Sequence, residues 1–281
     1  MIKKIKNWAD YIGLRSLLRT GYQVGLWSWQ KIINFGDKYQ PGPKAIILTY
    51  HRVADLSADP LQLAVNPHRF EEQIKSLKAR FNIIALPELV TRLKNRDLQG
   101  NELAITFDDG YRDNLVNALP IAQKYNVPIT IFIIGNIASQ NKTFSWDPAY
   151  ANKPGAYLNQ AEIEQLALNP LVTLGSHTLN HPRLIDLNEQ EQEAEISAGK
   201  EQLELIINKK IDYFAYPFGG YTDISRATID LVKKTGHRAG FTTERRAVKL
   251  QTNPLAIPRI MVRNWNAAEL LKRLRALILT K

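Results

Sequence analysis

The apolar positions fall into short unbroken runs separated by amphipathic stretches. Residues 45–49, 83–86, 103–107, 129–134, 171–174, 213–216, 239–242 and 257–262 read as strands. The run at 129–134 has the continuous hydrophobicity of a strand covered on both faces. Helical stretches lie between them. Asn66-Pro67 opens one with a cap and a first-turn proline, and Phe70, Ile74 and Leu77 give it an apolar face. Further helices are expected over 87–94, 114–124 (disturbed by Pro120), 162–168, 224–234 and 267–279. Asn188-Glu189-Gln190-Glu191 has capping-box spacing and opens a helix to about residue 208. Strand and helix thus alternate about seven times, which argues for a parallel sheet, either open or closed into a barrel.

Residues 1–40 form a separate region. Ile5, Trp8, Ile12, Leu18, Tyr22, Leu26 and Trp29 are compatible with one apolar helical stripe, and within the first 35 residues Lys3, Lys4, Lys6, Arg15, Arg19 and Lys31 face only Asp10. Such a basic amphipathic arm either lies on an anionic membrane surface or packs across the rest of the chain. Pro41-Gly42-Pro43 breaks the pattern and marks the start of a domain over 41–281. The net charge of +10 and the basic C-terminal stretch (Arg259, Arg263, Lys272, Arg273, Arg275, Lys281) suit a polyanion, a membrane surface or a merely solvated face. No helix-turn-helix, zinc-finger or RNA-binding signature is present, so no nucleic acid is expected. There is no run of about 18 apolar residues, and Asp10, Arg15 and Arg19 interrupt the place where a signal peptide would have its apolar centre. A cytoplasmic or membrane-peripheral protein is the favoured expectation, with a poorly formed secretion signal as the alternative.

The candidate chemistry lies at strand ends. The run at 103–107 stops at Asp108-Asp109-Gly110, and side chains alternate along a strand, so the two carboxylates cannot do one job from one direction. The run at 171–174 leads into Ser176-His177-Thr178-Leu179-Asn180-His181. With no cysteine in the chain, any metal is held by His and carboxylate. Asp109, His177 and His181 supply the three protein ligands of a catalytic Zn²⁺ site with an open position for water. Asp108, beside a ligand but aimed elsewhere, is placed to take a proton from that water; the alternative is a loop-capping carboxylate. His51 ends the first strand, and the turn at 217–220 follows another. In a barrel all these loops share one face. The polar segment at 136–160, with Trp146, Asp147, Tyr150 and Tyr157, is long enough to touch substrate.

Thr106-Phe107-Asp108-Asp109-Gly110 resembles the first motif of the polysaccharide deacetylase family, the NodB-homology domain of carbohydrate esterase family 4. Ser176 to His181 resembles its second motif, and Tyr216-Pro217-Phe218-Gly219 its third. The resemblance covers about residues 43–262. It implies a distorted (β/α) barrel, a Zn²⁺ site (other divalent transition metals being alternatives) and hydrolysis of N-acetyl groups on amino-sugar glycans. It further implies Asp108 as base, Asp109, His177 and His181 as ligands, and a backbone N–H at Phe218 that holds the oxyanion.

Two departures stand out. Ala215 lies near the place where the family has an arginine that orients the base; Arg259, at the start of a late strand, is either its substitute or an ordinary salt-bridge residue. No histidine follows His237 to act as the family's late general acid. Tyr50-His51-Arg52-Val53 resembles the poly-N-acetylglucosamine deacetylase branch, in which an early histidine takes that role; the alternative for His51 is a structural strand end. His68 and His237 are expected at the surface. The expected function is a metal-dependent glycan N-deacetylase. The competing readings are an amidohydrolase of a small non-polymeric amide and a non-catalytic glycan- or membrane-binding protein.

Overall fold

A computed structural model describes residues 42–137 and 156–279. The expected arm at 1–40 and most of the polar segment at 136–160 lie outside the described residues. Strand β1 (Lys44–Tyr50) pairs in parallel with β5 (Glu102–Phe107), from Ile46 opposite Leu103 to Tyr50 opposite Phe107. The parallel series continues through β6 (Ile129–Ile133), β7 (Val172–Ser176), β8 (Tyr213–Ala215) and β9 (Ala239–Phe241). Ile257 then bridges to Phe241, and β11 (Ile260–Met261) pairs in parallel with β1. The sheet therefore curls back toward its own first strand, giving the distorted barrel that the motifs implied.

Short pieces complete it. Strand β10 (Val248–Lys249) runs antiparallel on the first residues of β1, and β4 (Asn82–Ile83) adds to β5. Strands β2 (Arg52–Val53) and β3 (Ala64–Val65) form a separate pair just beyond β1. Elements of two residues are too short to leave a period in the sequence, and β2, β3 and β10 escape a pattern reading for that reason.

Helices α1 (Pro67–Lys78), α2 (Leu86–Lys94), α3 (Leu119–Lys124), α4 (Gln160–Ala167), α5 (Glu189–Ile207), α6 (Arg226–Lys234) and α7 (Ala267–Leu279) follow the expected pattern. The Asn66 side chain caps α1 through the His68 N–H at 3.0 Å, and Asn188 and Glu191 close the capping box of α5. Pro120 leaves a visible trace. It has no N–H, so the chain widens to a π-turn over Asn114–Ala118, in which the Leu119 N–H reaches Asn114 O, five residues back.

Strand alternation sorts the core. Ile46, Leu48, Tyr50, Leu103, Ile105 and Phe107 pack with the buried faces of α1 and α7. Ala45, Ile47 and Ala104 face the opposite way and pack with Phe132, Ala215 and Phe241. Thr106 and Asp108 continue the parity of Ala104, which sends the Asp108 carboxylate toward the same interior. No helix among the described residues is long and apolar enough to cross a membrane.

Candidate active site

Asp108 and Asp109 are both buried, yet the backbone separates them. Asp108 keeps strand alternation and points inward. Asp109 has left the strand with φ of 73°, a left-handed conformation that turns its carboxylate toward the loop after β7. Thr178 (φ 63°), His181 (φ 58°) and Phe218 (φ 61°) share that rare backbone region. Strained non-glycine residues persist only where neighbours over-determine them, and these four gather at one end of the barrel.

The Asp109 Oδ1 atom lies 3.4 Å from His177 Nε2 and 3.4 Å from His181 Nε2. It is buried and receives no hydrogen bond among the described residues. Tetrahedral ligands at about 2.05 Å from a zinc ion sit about 3.3–3.4 Å apart, so the spacing is that of a shared ion rather than of direct hydrogen bonds. His177 Nδ1 lies 2.7 Å from the Ala215 carbonyl. A carbonyl oxygen only accepts, so Nδ1 carries the proton and Nε2 is the nitrogen turned toward Asp109. Burial opposes a charge on His177, but Asp109 and Asp108 outweigh it and draw the imidazole upward, so ligation at Nε2 would release a proton. Burial, and then the neighbouring His177, push His181 down to about 3, which keeps its imidazole neutral and able to ligate. Burial opposes ionisation of Asp109, but His177, His181 and His51 outweigh it and hold the carboxyl far below its usual range. A buried carboxylate with two imidazole nitrogens thus fits a divalent cation, and these three residues form a group whose ligand atoms all lie within 4.8 Å of one another.

The histidine loop is held from several sides. Thr178 Oγ1 accepts the His181 N–H at 2.9 Å. Glu195 of α5 accepts the Asn180 N–H at 2.9 Å through its carboxylate and the Leu179 N–H at 2.9 Å through its carbonyl. Helix α5 comes this close because residue 199 is glycine: a Cβ there would stand 2.3 Å from the Thr178 carbonyl carbon.

Arg259 immediately precedes β11 and is fully buried. Its Nη1 and Nη2 donate to Asp108 Oδ1 and Oδ2 at 2.7 and 2.8 Å, a bidentate pair. Nη1 also donates to Thr106 Oγ1 at 3.1 Å and Nε to the Thr242 carbonyl at 3.2 Å. Burial pushes the Asp108 carboxyl up, but the Arg259 guanidinium, aided by His177, outweighs it, so the net displacement is downward and the group is ionised at neutral pH. The sequence left open whether Arg259 serves the base; the structure brings the two together.

His51 follows β1, half-buried, and lies within electrostatic reach of Asp108, Asp109 and His181. Residues around the π-turn hold its backbone. Asn114 Nδ2 donates to the His51 carbonyl at 2.8 Å and Asn117 Nδ2 to the Val53 carbonyl at 2.7 Å. Asp113 accepts from the Val53 N–H and from Arg52 Nε, each at 2.9 Å. Sequence reading missed this cradle; its only trace is the polar trio Asp113, Asn114 and Asn117 interrupting a helix. The Phe218 ring lies 5.0 Å from that of His181, and its N–H has no backbone acceptor among the described residues.

The remaining histidines divide. His68 is exposed, as expected. His237 is not at the surface: it is buried, with Nε2 2.9 Å from Ser176 Oγ and Nδ1 3.0 Å from Thr235 Oγ1. Its position after the turn that ends α6 carries no apolar context in the sequence, which is why burial was not legible there.

Several known proteins are similar to this chain over most of its length. The polysaccharide deacetylase family model matches residues 95–240. The Bacillus subtilis protein YxkH is 27% identical over 227 residues, covering 80% of this chain and 74% of its own. The Staphylococcus aureus poly-β-1,6-N-acetyl-D-glucosamine N-deacetylase is 26% identical over 250 residues, 82% of each chain. Among solved structures, IcaB from Ammonifex degensii matches with a TM-score of 0.68 at 22% identity, over 84% of this chain and 97% of its own. The Streptococcus pyogenes deacetylase PplD, solved in complex with acetate, gives 0.67 at 23% identity, over 83% and 99%. At these identities the structural likeness speaks to the fold alone.

Proposed function

The chain belongs to the polysaccharide deacetylase family, and on that premise we propose that it is a metal-dependent N-deacetylase of an N-acetylglucosamine polymer, with Zn²⁺ as the ion. The observation that carries the metal is the buried Asp109 Oδ1, without a hydrogen-bond donor among the described residues and equidistant from two imidazole nitrogens. The sugar is supported by the S. aureus relative, which is named for poly-β-1,6-N-acetyl-D-glucosamine.

Asp109, His177 and His181 would hold the ion. When bound, it supplies Lewis acidity to water and to the acetamide carbonyl. The chain's own groups do the rest. Asp108, ionised and fixed by Arg259, takes a proton from the attacking water as its oxygen adds to the acetamide carbon. The Phe218 N–H donates to the carbonyl oxygen as negative charge develops there. His51, at the rim of the same cluster, protonates the sugar nitrogen as the C–N bond breaks. The products are acetate and a free amine. Incubation of the zinc-loaded protein with β-1,6-linked N-acetylglucosamine oligomers should release acetate and lower the oligomer mass by one acetyl group per event. An unchanged substrate mass would refute this reading.

A further inference from the structure

His237 is buried but takes no part in the proposed chemistry. Each of its hydrogen bonds has a definite direction. Thr235 Oγ1 donates to the Val232 carbonyl at 3.0 Å, so toward His237 Nδ1, also 3.0 Å away, it accepts, and Nδ1 carries the proton. Burial, and then the nearby Lys200, push His237 down to about 3, so the ring is neutral. Its Nε2 is therefore bare and accepts the hydroxyl of the fully buried Ser176 at 2.9 Å.

Ser176 ends β7, one residue before the candidate ligand His177, and strand alternation sends the two side chains to opposite faces. His237 also lies against β8, its ring centroid 5.2 Å from that of Phe214. The residue after Phe214 is Ala215, whose carbonyl accepts from His177 Nδ1 at 2.7 Å. Ser176 stands opposite Phe214, and among the described residues this is the single pair in the β7–β8 ladder, whereas β6 and β7 pair over five. His237 thus touches both the strand that carries the ligand and the strand that carries the ligand's acceptor, where one rung joins them. Filling that space needs no imidazole. Two buried ring nitrogens must each find a partner, a demand that an apolar ring would not make. We propose that His237 is a positioning residue for the metal site: through Ser176 and Phe214 it keys β7 to β8 and so fixes His177 against the Ala215 carbonyl that orients it. The inference rests on the metal reading above.

The test measures metal affinity apart from stability. Zn²⁺ binding by the full-length protein is measured in competition with a chromophoric chelator, and the stability of the metal-free protein by urea unfolding. His237→Phe and Ser176→Ala should each weaken Zn²⁺ binding about tenfold, the lower end for residues that support a ligand from behind. His237→Gln, whose amide oxygen can accept the Ser176 hydroxyl, should stay within about threefold of the unsubstituted protein. The double variant Ser176→Ala, His237→Phe separates positioning from packing. Neither replaced residue then leaves a buried polar atom of the other unpaired, so stability should recover, while Zn²⁺ affinity should remain about tenfold weak. Should His237→Phe fail to fold, Ser176→Ala and His237→Gln supply the comparison. Affinities within about twofold of the unsubstituted protein in the single variants, or an affinity that recovers together with stability in the double variant, would overturn the positioning role. Unsubstituted protein that binds no Zn²⁺ would sink the metal reading itself; Zn²⁺ binding that is intact there and indifferent to His237 would sink the positioning role alone.

Discussion

Replacing Arg259 with methionine removes a guanidinium of similar length from a fully buried site and leaves the Asp108 carboxylate without its bidentate partner. Two unit charges about 4 Å apart at an effective dielectric constant near 20 attract by about 4 kcal/mol. Breaking one side of a buried pair typically costs about 3–5 kcal/mol, because the remaining charge stays desolvated. For a domain of this size that corresponds to a fall in Tm of roughly 10 °C. The pH dependence has a defined sign. In the native protein the Asp108 carboxyl lies below its ordinary value, so its contribution is present above the unfolded-state value of about 3.9 and is lost as pH falls through the folded one. Without Arg259 the effect of burial predominates and raises the carboxyl. The variant then loses stability as pH rises above about 4, and the difference between the two proteins shrinks on acidification toward that pH. Urea unfolding followed by circular dichroism at pH 7 and near pH 4 measures both quantities. Adding Asp108→Asn to Arg259→Met should restore at least about 2 kcal/mol, since no buried charge is left uncompensated. A difference below about 1 kcal/mol at pH 7, unchanged at acid pH, would refute the argument, that being the worth of an exposed pair.

Three further outcomes are expected. Asp108→Asn should retain the metal by elemental analysis while acetate release falls by about 10²–10⁴-fold, the usual contribution of a positioned base. Gly199→Ala places a methyl 2.3 Å from the Thr178 carbonyl carbon and 2.7 Å from the Leu179 nitrogen, backbone atoms that yield little; a stability loss of about 1–3 kcal/mol with weakened metal retention is expected, and a variant unchanged in both would contradict it. Asn117→Ala leaves the Val53 carbonyl without its side-chain donor and should cost about 1 kcal/mol in urea unfolding. If the cradle sets the position of His51, the same variant lowers kcat more than it raises KM.

What could be read from the sequence was local. Asp108, Asp109, His177 and His181 stand in contiguous segments at the ends of apolar runs, and the structure brings them to one end of one barrel. Among the described residues, the parallel series β1, β5 to β9 and β11 and the helices between its strands likewise follow from periodicity and capping. What could not be read depends on distance or on backbone conformation. The Arg259–Asp108 pair joins residues 151 positions apart, and no local signal distinguishes that arginine from a surface one. The left-handed turn at Asp109, which divides two adjacent carboxylates between two neighbourhoods, is a property of φ that aspartate only weakly advertises. His237 is buried because Ser176 and Thr235 bond both its nitrogens, an arrangement visible only once β7 and the end of α6 are side by side.

The central claim is that Asp109, His177 and His181 jointly hold one divalent ion on which acetate release depends. Metal stoichiometry measured together with activity tests it most directly. The protein is stripped with a chelator, titrated with Zn²⁺ and assayed for acetate release from β-1,6-linked N-acetylglucosamine oligomers, alongside Asp109→Ala. The account predicts about one ion per chain, activity that returns in proportion to it, and neither in the variant. Undiminished acetate release from the metal-free protein, or a full complement of ion in Asp109→Ala, would contradict it.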